Sequence, residues 1–174
     1  MNLRCAKYDD AFAIARVHVN SWRAAYRGLV PDDRLAKLDY FRGAEAFRKS
    51  ILEGKEDFYV AEEKGDVIGF LAIGACPDPD VDQKITREVL AIYLAPEFWR
   101  KGIGGALYRE GEGFLRSRGY LRVVLWAFKD NERAQRFYEA VGFLADGATR
   151  VLNVGAPLDT IRYSKDIKEC MRFH

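Results

Sequence analysis

Apolar positions in this chain fall into two spacings, and the two alternate along it. Phe58, Tyr59 and Val60 in residues 58–62, and Val67, Ile68, Phe70 and Leu71 in residues 67–73, predict two strands. Lys64, Gly65 and Asp66 between them are a hairpin signal. Residues 88–94 predict the next strand. Residues 121–127 are the most strand-like run, and their apolar density predicts burial on both faces. Short strands at 3–6, 143–145 and 160–164 complete the set.

Helical spacing fills the intervals. Asp9 and Asp10 are placed to cap a helix running to about Tyr26, with Ile14, Ala15, His18 and Trp22 along one face and Gly28 breaking it. Pro31, Asp32 and Asp33 open another, with Leu35, Leu38 and Phe41 facing inward. The segment through Phe47 and Ile51 is helical and ends near Gly54. A helix over 104–118 turns Ile103, Leu107, Phe114 and Leu115 to the sheet, and Gly119 stops it. Asn131 begins the last, where Ala134, Phe137, Tyr138 and Val141 form a stripe and Gly142 ends it. Residues 76–84, with Pro77, Pro79 and three aspartates, are a loop. The elements form one α/β domain over residues 1–174, with no repeat or linker.

The charge balance narrows the classes of partner. Lys and Arg total 28 and Asp and Glu 26, a net charge of +2, which argues against a nucleic-acid or membrane protein. Cys5, Cys76 and Cys170 are far apart and odd in number, so neither a disulfide framework nor metal-ligand spacing is expected. With only His18 and His174 besides, no metal is expected, and His18 on its helix face reads as a packed residue before a ligand. The first residues lack the apolar core of a signal peptide, and no apolar run spans a bilayer, so a reducing cytoplasm is the default location.

The chemistry concentrates in residues 92–107: a buried strand, a short basic turn and the start of a helix. Gly102, Gly104 and Gly105 let an anion approach the backbone. The helix start contributes unpaired N–H groups and the positive end of its dipole, while Arg100 and Lys101 add charge. That is a site for a phosphate or pyrophosphate. Glycines kept only for backbone geometry are the competing reading. The turn is neither a triphosphate P-loop, lacking a Gly-Lys-Ser/Thr sequence, nor a Rossmann fingerprint.

Asn131, Ala134, Tyr138, Glu139, Gly142 and Phe143 form a second segment. Together with the glycine turn before it, this pattern resembles the GNAT superfamily of acyl-CoA N-acyltransferases in element order over the whole chain. The resemblance implies a mixed, mostly antiparallel sheet of about seven strands flanked by helices, with a splayed strand pair holding the cofactor. It implies acetyl-CoA as co-substrate, with its pyrophosphate on Arg100, Lys101, Gly102, Ile103, Gly104 and Gly105. Its pantetheine amides, costly to bury unpaired, would pair with the strand edge at Ile92, Tyr93 and Leu94. Asn131 and Ala134 complete the cofactor site, although Asn131 also reads as a plain N-cap. Trp99 stands where the family pattern has Gln or Arg, and packs on the cofactor or the helix.

The same resemblance implies direct acetyl transfer to a primary amine in a ternary complex. Tyr138 would protonate the departing thiolate, and a backbone N–H near Leu94 would meet the oxyanion. From spacing alone Tyr138 reads as a core aromatic; the Asn131 motif before it favours the acid role. Glu88 aligns with a base found in some family members, or is a solvated strand-end carboxylate. Glu62 and Tyr93 are weaker candidates on the substrate side. Trp22 and Tyr26 line the acceptor pocket in this reading, with helix packing the competing fate of Trp22. The acidic loop 78–82 either attracts a cationic amine or is simply solvated. A homodimer is compatible with the family, and a non-catalytic acyl-CoA sensor or interaction module is the alternative function.

Overall fold

A computed structural model describes residues 1–167; Cys170 and His174 lie outside the described residues. In chain order the elements are β1 (Asn2–Cys5), α1 (Ala11–Ala25), α2 (Asp32–Ala36), α3 (Tyr40–Glu53), β2 (Asp57–Glu63), β3 (Asp66–Ala75), β4 (Thr86–Leu94), α4 (Ile103–Ser117), β5 (Arg122–Phe128), α5 (Glu132–Ala140), β6 (Leu144–Asn153) and β7 (Pro157–Asp166). The strands make one seven-stranded sheet in the order β1-β2-β3-β4-β5-β7-β6. Every pairing is antiparallel except β4 with β5. Among the described residues, no helix is long and apolar enough to cross a membrane.

Local chemistry accounts for most of these boundaries. The β2–β3 turn carries positive φ at both Lys64 and Gly65, the backbone that matches the twist of a tight hairpin. Asp39 accepts from the Arg42 backbone N–H and caps α3, and Gly54 ends that helix in the left-handed conformation. Tertiary packing then sorts the faces. Ile14 and Val17 of α1, with Phe47 and Ile51 of α3, cover one side of β2 and β3. Leu107 and Leu115 of α4 cover the other, against Leu71, Ile73, Val123 and Leu125. Each of those fully buried side chains stabilises the fold by about 1.5–3 kcal/mol. β3 is buried on both faces over eight successive residues. A Cβ on Gly111 of α4 would stand 2.4 Å from Leu71 Cδ2, so glycine there lets the helix lie close to the sheet.

One irregularity in β4 creates the functional geometry. Ala91 pairs with Ala72 and Val89 with Ile73, which leaves Leu90 without a partner on β3. A bulge of this kind bends its strand. β4 pairs with β5 only at Thr86, Arg87 and Glu88; beyond Glu88 the two strands diverge. The splayed pair expected from the family resemblance is therefore β4 and β5.

Two sequence expectations are corrected. Phe41 is 71% exposed and touches Phe12 outside the core, because α3 buries the stripe of Phe47 and Ile51 instead. The last two strands are longer than the expected 143–145 and 160–164. β6 is an exposed edge strand with almost no buried face, so its apolar pattern is faint, and Gly147 sits in a register shift between Ala145 and Thr149.

Candidate active site

The divergence of β4 from β5 opens a cleft of about 760 Å³, walled by the end of β4, the turn into α4, the first turns of α5 and the last turn of α1. Its walls bring together Ile92, Tyr93, Leu94, Arg100, Gly102, Ile103, Gly104, Gly105, Asn131, Ala134 and Tyr138, together with Tyr26. Lys101, Glu88 and Trp22 are not on that wall. Lys101 is exposed, with its Nζ 5.0 Å from the Phe98 ring.

The turn has the backbone of an anion cradle. Arg100 (φ 60°) and Gly102 (φ 76°) are both left-handed, and Arg100 is one of two non-glycine residues with positive φ among the described residues. Alternation of this kind aims successive N–H groups at one point. In α4 the first internal bond of the turn runs from the Ala106 N–H to the Gly102 carbonyl, leaving the N–H groups of Ile103, Gly104 and Gly105 at the orphan end of the helix. A Cβ on Gly102 would meet nothing within 4 Å, so that glycine faces open cleft. Arg100, Arg133 and Arg136 share the wall with Glu132 as the one acid. Burial lowers the Arg133 pKa, and the neighbouring Arg100 lowers it further.

The free edge of β4 has a defined orientation. The Leu94 carbonyl accepts from Ser21 Oγ at 2.6 Å and from Trp99 Nε1 at 2.9 Å, while the Ala95 N–H bonds to Ile68 of β3. Backbone groups alternate sides along a strand, so Ile92 and Leu94 present theirs to the cleft, and the Tyr93 backbone faces β3. The Tyr93 side chain points toward α1. Its hydroxyl lies 3.3 Å from that of Tyr26. Trp99 bonds to the strand end and carries the Arg133 guanidinium 3.7 Å above its ring. A long amide-bearing anionic ligand such as an acyl-CoA fits these walls: N–H groups and arginines at one end, and a strand edge leading from them.

Tyr138 lies between the core and the cleft, packed on Phe143 and Tyr163. Its ring is a core aromatic on a helical stripe, and its side chain also lines the cleft. Burial pushes its pKa up, with a smaller contribution from Tyr26. The phenol therefore stays protonated at neutral pH. Asn131 is buried, caps α5 by accepting from the Ala134 N–H at 3.2 Å, and lines the cleft as well.

Glu88 sits where the strands part, 7% exposed. Burial pushes its pKa up to about 7; Arg150 opposes the rise and Asp78 adds to it. It is not a solvated strand-end carboxylate. Glu62 serves elsewhere, paired with Arg4 between β1 and β2. The acidic loop is not a uniformly solvated run, although Asp80 and Asp82 are exposed. Asp78 is buried and accepts from Trp126 Nε1 and Arg162, and Asp80 binds Arg162 through both carboxylate oxygens.

Trp22 packs at 4.7 Å on Tyr26 and at 5.4 Å on His18. His18 is enclosed by Trp22, Phe47, Phe70 and Tyr93, as a packed histidine should be. Sequence reasoning missed Ser21, Arg133, Phe137 and Arg150. Arg133 and Phe137 follow Asn131 on the cleft-facing side of α5 and were within reach of helical spacing. Ser21 meets Leu94 across 73 residues, a contact no local pattern encodes.

The Acetyltransferase (GNAT) family matches residues 19–143 of this chain. The uncharacterized N-acetyltransferase YuaI of Bacillus subtilis is 35% identical over 140 residues, covering 80% of this chain and 78% of its own. The PaiA N-acetyltransferase of Thermoplasma acidophilum, solved with coenzyme A, superposes with a TM-score of 0.72 at 21% identity, covering 95% of this chain and 99% of that one. The yncA protein of Salmonella typhimurium, solved with acetyl-CoA, gives a TM-score of 0.73 at 22% identity, covering 100% and 98%. At such identities the solved structures establish the fold.

Proposed function

The chain belongs to the GNAT acetyltransferase family and is an acyltransferase, and from that premise we propose that it moves an acetyl group from acetyl-CoA to a primary amine by direct attack in a ternary complex. One observation carries the reading. The N–H cradle of the turn, the free edge of β4 and the protonated phenol of Tyr138 line a single cleft. Two solved structures of this fold are complexes with CoA or acetyl-CoA.

In this reading the cradle of residues 100–105 holds a diphosphate, and the free backbone groups of Ile92 on the edge of β4 hold an amide of the tether. Acetyl-CoA supplies a thioester carbonyl and a thiolate leaving group. An amine of ordinary pKa, about 10.4, is neutral in only about one molecule in a few thousand at pH 7. A base is therefore needed, and Glu88 has a pKa matched to neutral solution. Its carboxylate lies outside the cleft wall, so its proton path to the amine runs through water. The Leu94 N–H faces the cleft and stabilises developing negative charge on the attacked carbonyl. Tyr138 gives its proton to the thiolate, and no covalent acyl-enzyme is required. Cys76 is buried just after β3, with its thiol pKa pushed up by burial, and is unsuited to nucleophilic attack.

The test is an acceptor screen with acetyl-CoA and small amines, polyamines, amino acids and peptide N-termini, scored by release of the free thiol. Acceptor-dependent release, lost in Tyr138→Phe, is expected. Saturable CoA binding with no release for any acceptor would overturn the reading.

A further inference from the structure

Arg150 has no part in the chemistry above, yet its side chain reaches one of the acids that does. It stands on β6, with its strand position set by pairing to Thr160, whose hydroxyl donates to the Arg150 carbonyl at 2.8 Å. The guanidinium carbon lies 4.1 Å from the centre of the Trp126 ring. Trp126 is itself pinned by donating Nε1–H to Asp78. The indole thus forms a rigid shelf, and stacking on it leaves the in-plane N–H groups of Arg150 directed outward. From that shelf Arg150 reaches Glu88 Oε1 at 3.9 Å and Asp78 Oδ1 at 3.7 Å.

The other charges nearby are already engaged. Arg162, from β7, is bound by Asp78, Asp80 and Asp146 together. On the β3 side Gly74, the register partner of Glu88, carries no charge, the buried Cys76 thiol has its pKa pushed up by burial and stays neutral, and Glu56 accepts from the Ser50 hydroxyl. Arg150 is therefore the one cation within 4 Å of Glu88 among the described residues. Asp78 acts on Glu88 in the opposite sense, as a like charge. An acceptor carboxylate is a poor rival ligand for this guanidinium, because it would have to sit beside two acids already in place.

We infer that Arg150 is a positioning residue for Glu88: held over the Trp126 ring, it favours the Glu88 carboxylate over the acid and fixes it where β4 and β5 part, ready to take the acceptor's proton. The inference rests on Glu88 acting as the base. The device spans three elements, joining β6 to β5 and β4, and places control of the base on the exposed edge hairpin.

The charge relation can be read without any acceptor. In protein labelled with [5-¹³C]glutamate, the carboxyl signal missing from Glu88→Gln identifies Glu88, and its chemical shift is followed against pH. The wild-type midpoint is expected near 7. Arg150→Gln and Arg150→Met should each raise it by about one unit, and Arg150→Lys should keep most of the wild-type value. Amide spectra report folding, so either neutral variant suffices. A midpoint that stays put or falls in a folded neutral variant would overturn the inference. With an acceptor from the screen, the acidic limb of kcat/KM should move upward by the same amount, a readout that a merely structural arginine would not shift. The two failures are separable. An unmoved titration in an active enzyme removes Arg150 from the mechanism alone, whereas a shifted titration with no acceptor turned over removes the proposed reaction.

Discussion

The Arg133 guanidinium lies 3.7 Å from the centre of the Trp99 ring, joining the first turn of α5 to the turn before α4 across the cleft. Trp99 is anchored from the other side by its Nε1–H bond to the Leu94 carbonyl. The family's more usual Gln or Arg at this position is thus replaced by an aromatic wall whose partner comes from another helix.

Because both residues line the cleft, Trp99→Ala and Arg133→Ala are each expected to weaken CoA binding by roughly tenfold, about 1.4 kcal/mol. The double variant should lose less than the sum, since either change alone already breaks the pair. Titration calorimetry with CoA checks this, and strictly additive losses would show that the two act independently.

Gly102 and Gly104 separate cofactor binding from packing. A Cβ on Gly102 projects into open cleft, so Gly102→Ala costs only the left-handed backbone, about 1–2 kcal/mol of stability. Its CoA affinity should fall at least tenfold as the cradle distorts. A Cβ on Gly104 would stand 3.1 Å from the Phe137 ring, so Gly104→Val should destabilise the protein by about 1–3 kcal/mol as well as weaken binding. Urea unfolding beside calorimetry distinguishes them. Unchanged CoA affinity in Gly102→Ala would mean that the turn is structural.

Tyr138→Phe removes a hydroxyl and leaves the ring contacts with Phe143 and Tyr163 in place. Stability is expected within about 0.5 kcal/mol of wild type, with CoA affinity retained. Turnover should fall by about 10²–10⁴-fold. An undiminished kcat would reject the acid role.

Glu88 carries a stability cost that its replacement should expose. Its folded pKa of about 7 lies above the unfolded value, so the folded state holds its proton longer. Stability therefore falls as pH rises from about 4.5 to 7 and levels off above that. Glu88→Gln should be more stable than wild type at pH 8, by about 1–3 kcal/mol, and should lose that advantage at pH 4. Equal differences at both pH values in thermal unfolding would contradict the raised pKa.

His18 works in the other direction. Burial among aromatic rings lowers its pKa to about 4, below the unfolded value of 6.5. The stability it lends is complete above pH 6.5 and is lost as pH falls toward 4, up to about 3 kcal/mol. His18→Leu should flatten the stability–pH curve over that window, as followed by urea unfolding at several pH values. An unaltered slope would place the acid lability elsewhere.

Residues whose roles are local could be read from the chain itself. The hairpin at Lys64 and Gly65, the α3 stop at Gly54 and the glycine turn at 102–105 use backbone conformations that few residue types adopt, and the Asn131 cap uses a side-chain acceptor that few residue types offer, so the residue names carry the geometry. The apolar run of β5 likewise announced two-sided burial, because a strand with no polar face has nowhere else to go.

Only the tertiary structure decided the rest. It sent Glu62 to Arg4, tied Asp78 and Asp80 to Arg162, and brought Ser21 to the Leu94 carbonyl and Arg150 to Glu88. Each depends on which strands are neighbours. β6 in particular is an exposed edge whose pattern is weak, so its register, and with it the place of Arg150, follows from pairing with β7 rather than from its own residues. A charge acts through distance and burial, and both come into being only when segments far apart in sequence meet.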